Sequence, residues 1–230
     1  MLKRGWKKSL KVSKLLQRYA MAKMKRIFDL ILALILVMLL GIPMLIIAVL
    51  FKLLQNKVRK IGDASIFTKS SIRKIETVSI LFWTNRVGKN NVIFKMAKFR
   101  TMKLNTPQIA THLMENPESY LIPGGALLRK YSLDELPQLF NILKGDMSFV
   151  GPRPALFNQD DLVELRTKKN IHKLVPGVTG WAQVNGRDDL PIPVKVSFDE
   201  YYLKHRCFVL DLYILLLTAI KVVKREGVKH

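Results

Sequence analysis

The chain has one cysteine, Cys207, and no acidic residue before Asp29. A lone cysteine excludes an internal disulfide framework and a thiolate metal cluster. Acids stay scarce throughout: 17 Asp and Glu stand against 39 Lys and Arg, a net charge of +22. That balance points to anionic partners: nucleic acid, anionic lipid or phosphorylated substrates. The imbalance is uneven. Residues 1–26 hold ten Lys or Arg and no acid, which leaves 29 basic against 17 acidic residues, or +12, for the rest. There is no internal repeat.

Charge of either sign is missing altogether from Leu30 to Phe51, "LILALILVMLLGIPMLIIAVLF". About 20 apolar residues span a bilayer as a helix. A cleaved signal peptide fits poorly, because the run is long and no small-residue cleavage site follows it. Two features count against a simple crossing. Pro43 lacks an N–H and restricts Ile42, so a break is expected at Ile42–Pro43. Both flanks are also basic: Lys23, Lys25 and Arg26 precede the run, and Lys52, Lys57, Arg59 and Lys60 follow it. The positive-inside rule draws both flanks to the cytoplasm. A re-entrant helix that bends at Pro43 satisfies both features; a kinked transmembrane helix is the competing path.

The remaining chain divides as follows. Residues 1–26 read as a basic arm, 27–54 as the membrane segment, 55–77 as an atypical basic link and 78–230 as the main domain. "SILFWTNRV" (79–87) and "VIFKMAKFRTM" (92–102) read as strands of a hairpin around "GKNN". A short helix is expected between Pro107 and Pro117. "GALLRKYSLDELPQLFNILKG" (125–145) reads as two helical stretches that meet near the acids and close at Gly145. "GPRP" (151–154) is an extended turn, a helix follows over about 156–169, and 175–187 is a glycine-punctuated loop. The helix at 208–225 has an uncharged run too short to span, and reads either as interfacial or as a core helix. The fold class is thus mainly α with a small β-hairpin.

Within this basic chain, "SLDELP" (132–137) places two acids side by side. Ser132 and Glu135 match a capping box. Pro137 argues against it, because a helix begun at Ser132 would meet the proline past its first turn. A helix begun at Pro137 leaves Asp134 and Glu135 just before its start, where its dipole favours anions. Adjacent helical residues point about 100° apart, which suits two roles: one acid attacks, the other holds a metal. A carboxylate that attacks phosphorus needs the phosphate charge neutralised. Lys98, Arg100, Arg129 and Arg153 are the candidates, arginine being suited by its planar fork.

"KFRTM" (98–102), "LRKYSLDELPQLFNILKGDMSFVGPRPAL" (128–156) and "PGVTGWAQVNGR" (176–187) together resemble the bacterial sugar transferases, the monotopic polyprenyl-phosphate phosphoglycosyl transferases. The resemblance implies transfer of a sugar 1-phosphate from a UDP-sugar to polyprenyl (undecaprenyl) phosphate, with release of UMP. It makes Asp134 the nucleophile of a covalent phospho-sugar intermediate and Glu135 the ligand of Mg²⁺. Lys98, Arg129 and Arg153 match basic positions near the phosphate groups, Arg100 is kept with them as a phosphate-binding candidate, and Gln183, Asn185 and Arg187 lie in the implied substrate loop. It also favours the re-entrant helix, with a compact catalytic domain and interfacial amphipathic helices on the cytoplasmic face of the bacterial inner membrane. Anionic lipids are implied partners, a homodimer is compatible, and nucleic acid is not expected. The chain departs from the family pattern in three places: Ile42-Pro43 replaces a Ser-Pro pair, Ala97 an aromatic residue, and the link at 55–77 is unrelated. A non-enzymatic membrane-anchored basic protein is the alternative, and leaves the acid pair unexplained. A catalytically dead scaffold is the third reading.

Overall fold

The computed structural model describes residues 2–64, 79–104, 106–107, 116–186 and 190–224, with side chains from Ala20 to Leu53 and in the later segments. Helix α1 runs from Leu2 to Ala64 as one element. Leu, Ile, Met and Ala dominate its middle and tolerate helical geometry well. Within Ala20–Leu53, mean hydropathy reaches 3.2 and only 11 % of the most apolar window is covered by protein. The covered positions follow one face: Asp29, Ala33, Met44 and Phe51 are buried, and Leu36, Val37, Ile47 and Ala48 are partly so. Spacings of three, four and seven residues put them on a single stripe.

The break expected at Ile42–Pro43 is absent, because α1 stays helical on both sides of Pro43. Proline deprives one carbonyl, that of Leu39, of its donor. Unwinding a whole turn would free several backbone groups with no water to receive them in an apolar setting. The first part of the 55–77 link is likewise helical, up to Ala64; residues 65–78 lie outside the described residues.

Strands β1 (Leu81–Val87) and β2 (Ile93–Phe99) form the expected antiparallel hairpin, in register Phe82 to Lys98 and Val87 to Ile93. Asn90 and Asn91 take positive φ at its turn, as asparagine tolerates. Helices α2 (Gly125–Lys130) and α3 (Gln138–Lys144) flank the acid pair, and Gly145 closes α3 at φ 98°. These match the expected helical stretches. A second, parallel pair joins β3 (Ser148–Val150) to β4 (Gly177–Thr179). The loop expected at 175–187 therefore contains a strand and the short helix α5 (Trp181–Asn185). Helix α4 starts at Asp160, later than expected, because a bridge between Leu156 and Arg86 keeps that stretch extended. Between Pro107 and Pro117 only 106–107 and 116 onward are described, with a 3-10 turn at Pro117–Tyr120.

Helix α6 (Ile192–His205) was not legible in the sequence, and α7 (Phe208–Lys224) was. Asp211 and Ile214 of α7 are buried, while Val209, Leu216 and Val223 are exposed. The core of the body gathers Ile142, Met147, Val150, Ile171, Val196 and Ile214. Each fully buried aliphatic chain contributes about 1.5–3 kcal/mol.

Candidate active site

The acid pair stands on a short turn between two helices. Ser132 takes a left-handed conformation, φ 54°, so α2 cannot continue through it. Its side chain makes no cap bond, which removes the capping-box account of the acids. Leu133–Glu135 form one 3-10 turn, Pro137 caps the next helix, and α3 begins at Gln138. Proline suits that place, since the first amides of a helix lack intrahelical partners in any case.

The two acids sit in unequal surroundings. Glu135 Oε1 accepts from Lys98 Nζ at 2.7 Å and from Arg153 Nη2 at 2.9 Å. Asp134 is 8 % exposed, and its Oδ2 lies 3.9 Å from Lys98 Nζ. Burial works to raise the pKa of both. At Glu135 the charges and hydrogen bonds of Arg153 and Lys98 outweigh it and hold the carboxyl well below its ordinary value. At Asp134 burial prevails, aided by the Glu135 charge and opposed by Lys98, Arg129 and Arg153, and the pKa is raised. One carboxylate is thus clamped between two cations, and its neighbour is the more basic and the less engaged.

Three devices hold this geometry. Asn141 of α3 is buried and links to β2: its Oδ1 accepts from Ala97 N–H at 3.0 Å, and its Nδ2 donates to the Lys95 carbonyl at 2.8 Å. The side chain so ties the helix after the acids to the strand that carries Lys98. Arg26 of α1 donates to the carbonyls of Ile142 and Leu143, the latter at 2.8 Å. It satisfies the end of α3 with a cation, where the dipole favours one. Finally, the loop that carries Arg153 crosses the β4 region at its glycines. A β-carbon on Gly177 would lie 2.1 Å from Gly151 N, and one on Gly180 2.1 Å from Gly151 O. The glycines expected to permit close approach thus meet another backbone segment. Neither Asn141 nor Arg26 carried a sequence signal, since both act through carbonyls or amides far along the chain.

The other expected site residues fall as follows. Lys98 and Arg153 meet Glu135, and Arg129 acts electrostatically on Asp134. Arg100 is turned to the start of the hairpin: its Nε donates to the Ser79 carbonyl at 3.0 Å, and its guanidinium lies 5.3 Å from the Phe82 ring centre. Gln183 points inward, 8 % exposed, and donates to the Gly151 carbonyl at 3.4 Å. Asn185 bonds locally to the Trp181 carbonyl. Arg187 lies outside the described residues. Among the described residues no group of three or more His, Cys, Asp or Glu is gathered to hold a metal. The carboxylates that could take up Mg²⁺ are Glu135 and its neighbour Asp134, a set that needs substrate phosphates to complete it.

A membrane-associated helix joined to a compact body with an acid pair among cations defines the class; comparison with known proteins supplies the family. Residues 63–225 match the family described as bacterial sugar transferase. The uncharacterized sugar transferase EpsL of Bacillus subtilis (strain 168) is 41 % identical over 167 residues, 72 % of this chain and 80 % of that protein. The undecaprenyl-phosphate galactose phosphotransferase of Salmonella typhimurium is 36 % identical over 64 % of this chain, but only 34 % of its own length is matched. The UDP-N-acetylgalactosamine-undecaprenyl-phosphate N-acetylgalactosaminephosphotransferase of Aeromonas hydrophila is 36 % identical over 65 % of this chain and 37 % of its own. The chain belongs to the bacterial sugar transferase family and is an enzyme of that class.

Proposed function

We propose that the protein transfers a sugar 1-phosphate from a UDP-sugar to a polyprenyl phosphate at the bacterial inner membrane. The products are a polyprenyl-diphosphate sugar and UMP. Two of the relatives carry undecaprenyl phosphate in their names, which supports the acceptor. The observation that carries the reading is the unequal acid pair. An oxygen of Asp134 attacks the phosphorus that bears the sugar, and the bond from that phosphorus to the bridging oxygen breaks. UMP leaves with the bridging oxygen. An oxygen of polyprenyl phosphate then attacks the same phosphorus, and the bond to Asp134 breaks, which regenerates the carboxylate.

Lys98 and Arg153 keep Glu135 ionised beside the attacking group, and with Arg129 they offset the charge of the diphosphate. Glu135, with Asp134 adjacent, would hold Mg²⁺, which supplies further neutralisation of phosphate charge when bound. Labelled UDP-sugar followed by rapid quenching tests the covalent step. Label retained on the wild-type chain and lost in Asp134→Asn is expected; its absence from the quenched wild type would argue for direct transfer.

The basic flanks on both sides of the apolar segment favour a cytoplasmic location for both ends. The contacts of α1 support both ends of its apolar segment lying on the side of the body, although the helix itself shows no break at Pro43 that would turn it back. The 25 helical steps from Arg26 to Phe51 cover about 37 Å, more than the roughly 30 Å hydrocarbon core. Yet Arg26 bonds to α3, and a β-carbon on Gly124 would lie 3.5 Å from the Phe51 ring. A crossing helix would carry Phe51 away from the body that Arg26 touches. The exposed apolar side chains of α7 suit contact with the membrane surface. Cysteines placed at residues 5 and 195 should label from the same side; opposite sides would reject this placement.

A further inference from the structure

The loop that delivers Arg153 to Glu135 reads Gly151-Pro152-Arg153-Pro154-Ala155. Its two prolines remove the N–H at 152 and 154, so the loop cannot be held by those amides. Apart from Gly151 N–H, which donates to the Thr179 carbonyl at 2.8 Å, it is held by its carbonyls. Gly177 N–H donates to the Pro152 carbonyl at 2.9 Å, and Val87 N–H to that of Ala155 at 2.9 Å. Arg86 Nη1 donates to the Pro154 carbonyl at 3.3 Å. At Arg153 itself the donor is a buried side chain: Arg166 Nη1 reaches its carbonyl at 2.8 Å.

Arg166 sits on α4 and is 8 % exposed. Its Nε and Nη2 both donate to Asp199 Oδ2, at 3.0 and 2.6 Å. Asp199 lies on α6 and is 1 % exposed. Two donors locked on one carboxylate fix the plane of the guanidinium, so the third donor has a set direction. Burying such a pair is costly, and apolar side chains of similar volume usually stabilise a core as well or better. An apolar pair cannot donate to the Arg153 carbonyl.

We propose that Arg166, anchored by Asp199, is a positioning residue for transfer. It fixes the main chain at Arg153, and thereby the guanidinium that meets Glu135. The inference rests on the reaction proposed above, where displacement of a reacting group by about 1 Å can cost about 10²-fold in rate.

The test uses the full chain in lipid nanodiscs. Arg166→Met with Asp199→Leu keeps the core filled and removes both charges. With melting near that of the wild type, kcat for UMP release should fall by about tenfold or more, with a much smaller change in KM for the UDP-sugar. Hydrogen exchange in a peptide covering 150–157 should accelerate, with that of 138–144 unchanged. In an Arg153→Ala background the same double substitution should add no further loss. Wild-type turnover and exchange in the double variant would overturn the proposal, as would an undiminished loss in the Arg153→Ala background. Should that variant not fold, Arg166→Lys keeps the charge but not the fork, and unchanged exchange at 150–157 would overturn the proposal in the same way. If the wild type released no UMP from any UDP-sugar, the transfer reading would fail. The exchange comparison would still decide whether Arg166 holds the loop.

Discussion

Helix α1 and the body differ in what they leave uncovered and what they cover. Along α1 the apolar side chains face outward: Met38 is 78 % exposed and Ile42 71 %. In the body the groups most deeply covered include charges, with Asp199 at 1 % and Arg166 at 8 %. The first arrangement is stable only in an apolar surrounding. The second is costly in any surrounding, so its retention calls for a role in geometry. The helix thus speaks to where the protein resides, and the buried ions to how its site is held.

Predictions that break one side of this comparison should leave the other intact. The largest effect is expected at Arg153→Ala. UMP release should fall by about 10²–10³-fold, the cost typical of losing one preorganised charge donor, with membrane association unchanged. Arg153→Lys should recover part of the rate, because it keeps the charge without the fork.

Met38→Lys acts on the other side. A cation in mid-membrane costs roughly 2.5–3.5 kcal/mol, so the membrane-bound fraction after flotation should drop. Gly177→Ala sets a β-carbon 2.1 Å from Gly151 N. Overpacking of this kind costs about 1–3 kcal/mol, to be read as a lower unfolding temperature together with slower transfer.

The smallest effect is expected where the two regions join. Lys25 Nζ donates to Asp211 Oδ2 at 2.6 Å, and Tyr202 O–H to Asp211 Oδ1 at 2.7 Å. Lys25→Ala should cost ~1.5 kcal/mol, the scale of one charge-assisted bond. It should loosen α1 from α7, seen as faster exchange in both.

What the sequence revealed follows from the range of each interaction. The hairpin came from alternation within a few residues. The place of the acids came from Pro137, which acts on its own turn. Asp134 and Glu135 stood out as adjacent acids, with Lys98, Arg100, Arg129 and Arg153 as candidate cations, but their roles came only through the family motifs; the structure brings Lys98 and Arg153 to Glu135. Arg166 and Asp199 carried no signal, because 33 positions separate them and each alone reads as a surface charge. Helix α6 was hidden by Pro191 and Pro193 and by the β-branched Val194 and Val196 near its start. The helical continuity of α1 through Pro43 was not foreseen: the lost bond and the basic flanks were weighed, but not the cost of leaving unwound backbone groups unpaired in an apolar medium.

The central claim is that Asp134 carries the transfer. UMP release should be measured with a panel of UDP-sugars and polyprenyl phosphate, with the wild type and Asp134→Asn compared in the same membranes. The account predicts release by the wild type and a rate in Asp134→Asn no higher than that without enzyme. Release by Asp134→Asn at the wild-type rate would contradict it.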